Sequence, residues 1–223
     1  MPYHARLPLW DDKTDTQKLD SLHHLVMDLY RYQLNDSLSQ ITAMLSAHQT
    51  TDEKEQQDIT FIQELIQKHP NIINMNCEVG HLTASAIIVD LTSHKTLLHF
   101  HKRLNRWLQV GGHADYETDF SQVALREAQE ETGLPDLTFY PSDKPVVPID
   151  YDAHIFPQRN DIPEHYHLDF RYLLTTRQPD TLSPEDGESV EFKWLTFDEA
   201  FSLINKDDHA FRRLLQKASD LFK

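Results

Sequence analysis

A single cysteine in 223 residues, Cys77, excludes an intrachain disulfide, which fits a reducing compartment. No apolar run approaches the roughly 18 residues of a membrane span. Met1 to Lys13 holds no apolar stretch of the length a signal peptide needs. A cytoplasmic protein with no membrane partner is the expectation. Positive charge is also scarce: 21 Lys and Arg stand against 36 Asp and Glu, a net of -15 at pH 7. Proteins that bind nucleic acid displace counterions with a basic face, and this chain has no such cluster. Nucleic acid is therefore not an expected partner. An acidic protein that handles an anion needs a local source of positive charge, and bound metal is the obvious one. Glycine is rationed to five residues, and three of them, Gly111, Gly112 and Gly133, fall in one short stretch.

What is present suits one generous domain, or a core domain with a smaller appendage. Apolar residues make up 39% and charged residues 26%, a globular composition. Residues 15–70 read as helical. Leu22, Leu25, Val26, Leu29 and Tyr30 recur at three-to-four spacing. Asn35-Asp36-Ser37 marks a break and cap, after which Leu38, Ile41, Met44 and Leu45 resume the period. A third stretch carries Ile59, Ile62, Leu65 and Ile66 and ends at His69-Pro70. Core packing and dimerisation both account for these stripes. The expected division is a helical segment over 1–76 and a main domain over 77–223.

From Gly80 the period changes to that of strands: Leu82–Val89, Thr96–His101, Val146–Phe156, His165–Thr175 and Glu191–Leu195. Pro145 and Pro148 suggest an edge or the start of a strand. The stretch Thr196-Phe197-Asp198-Glu199 is a capping-box signature, so a helix should follow it. Residues 207–222 read as a last helix.

Between the strands lies the informative stretch, Gly111 to Leu134. Asp119 is a good N-cap, and Gly133 before Pro135 is a good stop, which predicts a helix over about 119–132. On it Glu127, Glu130 and Glu131 sit at i, i+3 and i+4 and share one face. Phe120, Val123 and Ala124 fall on the same stripe. Three carboxylates that continue a core-facing stripe repel one another and lose solvation. Hard cations with oxygen ligands relieve both costs. The plain alternative is a solvated acidic helix surface, the usual fate of a charge run.

This stretch resembles the Nudix box, G-x5-E-x7-R-E-U-x-E-E-x-G-U with U a bulky aliphatic. Gly112, Arg126, Glu127, Glu130, Glu131, Gly133 and Leu134 occupy the required places. Six fixed matches arise by chance about once in 10^5 chains. Ala128 replaces the bulky aliphatic, and Thr118 stands where the box has its first Glu, flanked by Glu117 and Asp119. Gly80–Ser85 and Trp107–Asp115 extend the likeness toward a bacterial Nudix subgroup, over about residues 78–205.

The resemblance implies an α/β/α sandwich around a mixed sheet, here with an N-terminal helical segment added. It implies an enzyme that cleaves a diphosphate linkage in a nucleoside-diphosphate-type small molecule. Glu127, Glu130, Glu131 and the Gly111 carbonyl would be the metal ligands, and Arg126 would orient the glutamates. One of these glutamates, or a Glu on a later loop, would serve as general base. Among Glu185, Glu188 and Glu191 the preferred one is Glu188, six before Trp194. The default ion for oxygen ligands is Mg²⁺, with Mn²⁺ as a substitute. Nudix proteins are often homodimers, which makes a second copy a candidate partner. The rival reading is a catalytically silent Nudix-fold ligand-binding or sensor module, motivated by Thr118 and the extra helices.

A second constellation lies on the strand pair 146–175. Asp150, Asp152 and His154 alternate along one strand; His165, His167 and Asp169 alternate along the next. Each set therefore faces one side of its sheet. Substrate-phosphate recognition by His113, His154 and His167, a second site for a metal such as Zn²⁺ or Mn²⁺, and ordinary surface histidines all remain open. Arg106 and Arg171 are candidate phosphate contacts.

Overall fold

The change of period at Gly80 is where helix gives way to sheet. The computed structural model describes residues 14–102, 104–114, 117–158, 162–184 and 191–223. The chain divides into two compact units, Met1–Ala43 and Met44–Lys223.

Helix α1, Asp15–Ala47, begins in the first unit. The break expected at Asn35-Asp36-Ser37 does not occur. Neither Pro nor Gly interrupts that stretch, and its polar groups are absorbed within the helix: Ser39 Oγ donates to the Asn35 carbonyl and Gln40 Nε2 to Asp36. The stripe residues Leu22, Leu25, Val26 and Leu29 are exposed, and the side chain of Tyr30 lies outside the described residues. The chain breaks instead before Asp52, whose carboxylate accepts from the Glu55 amide and caps α2, Glu53–Lys68.

In the second unit eight strands form one mixed sheet. They are β1 (Gly80–Asp90), β2 (Thr96–His101), β3 (Arg106–Leu108), β4 (Val110–His113), β5 (Thr138–Phe139), β6 (Asp150–Phe156), β7 (His165–Thr176) and β8 (Phe192–Leu195). The central pair, β1 and β7, runs parallel in full register from Gly80↔Tyr166 to Asp90↔Thr176. All other pairings are antiparallel. Strands β3, β4 and β5 are too short to show a period in the sequence. The strand expected from Val146 starts at Asp150, past Pro148, which has no amide hydrogen to give.

Helices cover both faces. Helix α4, Phe197–Leu203, is opened by the reciprocal Thr196–Glu199 capping box. With α5, His209–Asp220, it packs Ala200, Phe211, Leu214, Leu215 and Ala218 onto Ile87, Leu98 and Leu173. Helix α3, Phe120–Thr132, lies against β1, β4 and β7, with the Phe120 ring stacked on Phe170 at 4.6 Å. The result is the expected α/β/α sandwich. Helix α2 runs along β6, where buried Glu55 accepts from the Tyr151 amide.

Strand alternation sorts one face of β7 into zones. His165 and His167 come first, then Asp169 and Arg171, then Leu173 under α5. In the middle zone Arg171 is buried and donates to Asp150, Asp152 and Asp169 at 3.3, 2.7 and 3.1 Å. Arg213 and Lys217 of α5 complete the network, onto Asp150 and Glu55. The expectation that Arg171 contacts phosphate is thus replaced by a structural role: three aspartates hold it in the interior. Arg106 is exposed and meets Asp208 at 3.4 Å.

Candidate active site

Helix α3 is set by its two ends. Asp119 accepts from the Ser121 and Gln122 amides. Gly133 closes the helix in the left-handed conformation, φ 67°, with its amide on the Gln129 carbonyl. Between these caps the three glutamates differ in depth. The Glu131 side chain is 9% exposed, that of Glu127 15% and that of Glu130 40%. The face therefore grades from core to solvent.

Each glutamate is held. Arg126 lies 2.8 Å from Glu127 and 3.0 Å from Glu130, and donates to the His113 carbonyl at 3.1 Å. Burial works against its charge, but the two glutamates more than offset this and raise its pKa. Glu131 accepts the Gly111 amide at 2.9 Å, and His99 Nδ1 stands 3.2 Å from its other oxygen. Burial first, then the neighbouring His101, lowers the His99 pKa to about 4, so the ring is neutral at pH 7. A Cβ at Gly112 would meet the carboxylate of Glu127, the flexible end of that side chain. Arg126 also lines a cavity of about 400 Å³ with Ala114, Glu117, Gln122 and Val123.

The first-Glu position is Thr118, which is exposed. Both flanking acids are occupied by backbone. Glu117 accepts from the amides of Thr118 and Asp119, and Asp119 caps α3. Glu185 and Glu188 lie outside the described residues.

The histidines also assemble. The β6–β7 hairpin sets His154 opposite His167 and Asp152 opposite Asp169, as the alternation predicts. The parallel pairing adds His81, opposite His167 on β1. The His81 ring lies 4.8 Å from those of His113 and His167 and 4.9 Å from that of His165. His81 is 4% exposed, and neither ring nitrogen has a hydrogen-bond partner of good geometry among the described residues. Burial, then His113 and His165, hold its pKa down at about 4. His167 is lowered to about 2 by burial and by four surrounding imidazoles. His154 donates to Asp152 at 2.8 Å.

Sequence reasoning missed His81 and His99. The signal for His81 was its place beside Gly80, where the residue likeness begins. Nothing in the sequence ties His99 to Glu131, because the two meet only through the fold.

Comparison with known proteins identifies the family. The NUDIX domain family model matches residues 81–217, well over half of the chain. The chain belongs to the Nudix family. By class it is a Nudix pyrophosphohydrolase, and enzymes of this family generally use divalent metal ions. A NUDIX-family hydrolase from Clostridium perfringens is similar, at 30% identity and TM-score 0.51, over 64% of this chain and 98% of that one. The C. elegans Ap4A hydrolase in a binary complex aligns at 20% identity and TM-score 0.46, over 63% and 96% of the two chains. The NUDIX domain of Shewanella oneidensis NrtR, complexed with ADP ribose, aligns at 14% identity and TM-score 0.42, over 72% and 99%. No curated protein matches. Among the described residues of this Nudix chain, no helix is long and apolar enough to cross a membrane.

Proposed function

We propose that this Nudix protein is a metal-dependent hydrolase that cleaves a diphosphate linkage in a nucleoside-diphosphate-type small molecule. The ion is Mg²⁺, with Mn²⁺ as a substitute. The observation that carries this reading is the graded face of Glu127, Glu130 and Glu131 beside the Gly111-Gly112 turn. The donor set fits a hard cation, because every candidate ligand atom is an oxygen. The space beside Gly112, which a Cβ would fill, holds the Glu127 carboxylate. Glu127, Glu130, Glu131 and the Gly111 carbonyl are the proposed ligands. When bound, divalent ions withdraw charge from the diphosphate and acidify a bound water.

The remaining roles belong to side chains. Arg126 positions Glu127 and Glu130 and ties the helix to the His113 carbonyl. Glu188 serves as general base. His113, His154 and His167 form the substrate-side wall. The protein acts in the cytoplasm, as a homodimer joined through the exposed apolar residues of α1.

The test is turnover of a panel of diphosphate compounds with Mg²⁺ or Mn²⁺, beside Glu130→Gln and Glu131→Gln. Metal-dependent turnover that collapses in both variants supports the reading. Silence across the panel, with metal bound tightly in calorimetry, assigns a ligand-binding module instead.

A further inference from the structure

We propose that His81, His165 and His167 form a second cation site, separate from the box glutamates, for a borderline divalent transition metal of which zinc is the type. Among the described residues these three side chains each offer one ligand atom, and the three atoms lie within 4.8 Å of one another.

The tautomers favour ligation. His165 Nδ1 lies 2.8 Å from the Pro163 carbonyl. A carbonyl only accepts, so Nδ1 carries the hydrogen and Nε2 keeps a bare lone pair. A ring N–H fixed on a carbonyl is the usual arrangement behind a metal-bound imidazole. That bare Nε2 faces His167 Nε2 at 3.3 Å. A tetrahedral zinc with bonds of about 2.0–2.1 Å sets its ligand atoms about 3.3 Å apart. One shared hydrogen between His165 and His167 would satisfy that pair alone. It would leave His81 buried at 4% exposure with neither nitrogen in a hydrogen bond of good geometry. A cation reached by rotation of the His81 ring engages all three.

The chemistry selects the ion. Three imidazoles are poor ligands for Mg²⁺, which takes oxygen, and good ones for zinc-class ions. Three protein ligands leave a tetrahedral ion one open position. His113, two residues after Gly111, flanks the triad, so such an ion adds positive charge to the substrate-side wall. The site itself does not depend on diphosphate turnover.

The full chain, stripped by chelation, would be dialysed against Zn²⁺ in excess Mg²⁺ and its metal content measured. Wild type is expected to retain one zinc per chain. His165→Asn and His167→Asn should retain none, with unchanged circular dichroism, and Glu130→Gln/Glu131→Gln should still retain one. Absence of zinc in wild type overturns the site, as does retention by the histidine variants or loss with the glutamates. If the histidine variants fail to fold, Co²⁺-loaded wild type decides. An intense visible band with paramagnetically shifted imidazole N–H resonances supports the site. A pale octahedral oxygen-ligand spectrum contradicts it.

Discussion

Two regions of this molecule concentrate carboxylates, and they treat them in opposite ways. On the strand face, Asp150, Asp152 and Asp169, with Glu55 of α2 beside them, are met by Arg171, Arg213 and Lys217, which the fold itself supplies. Thr83 and Ser85 donate to Asp169 as well. On α3, Glu127 and Glu130 share Arg126, and Glu131 meets an amide and a neutral imidazole. The first region stands as finished structure. In the second, Arg126 meets two of the three acids, and the proposed cations would supply the remaining charge. Burial of acids alone therefore does not mark a site; the supply of compensating charge does.

The contrast breaks most sharply at Arg171. Arg171→Ala removes a cation shared by three buried aspartates and should cost about 3–5 kcal/mol in urea unfolding, while activity at low temperature persists in the fraction that remains folded. Glu131→Gln should show the reverse. Turnover falls by about 10²–10³-fold, and the melting temperature barely moves, because the amide oxygen still accepts from Gly111.

The pH dependence of stability should follow the compensated region. Burial alone would raise the Glu55 pKa, but hydrogen bonds from His48, Lys217 and Thr50 hold it at about 2. Its folded pKa is depressed, so its stabilisation is complete above the unfolded value, about 4.5, and is lost as pH falls toward 2. The loss is about 3 kcal/mol, and denaturant titrations across that window should show it in wild type and not in Glu55→Gln. A smaller effect sharpens the box side. Gly112→Ala pushes the flexible end of Glu127 aside; kcat should drop about tenfold, or about 1.4 kcal/mol, with little loss of stability.

Legibility in the sequence followed the range of the forces involved. The box helix was readable because its caps, its stripe and its acids are all local to Asp119–Gly133. The hairpin of His154 and His167 was readable from the two-residue period. The false break at Asn35-Asp36-Ser37 shows how weak polar residues are as punctuation when the helix can bond them internally. His99 was invisible as a site residue and His81 was signalled only by its place beside Gly80, because a sheet-to-helix contact and a parallel strand pairing bring them in. Arg171 was misjudged for the same reason: its three aspartates lie on two strands and converge only in the folded sheet.

The most direct test is Mn²⁺ binding followed by electron paramagnetic resonance, in wild type and in a Glu127→Gln/Glu131→Gln variant, with Mg²⁺ as competitor. Wild type should bind Mn²⁺ that Mg²⁺ displaces, and the variant should lose that Mg²⁺-sensitive binding while its unfolding transition stays in place. Equal Mg²⁺-sensitive binding in the two proteins would show that the α3 glutamates are not where the catalytic metal sits.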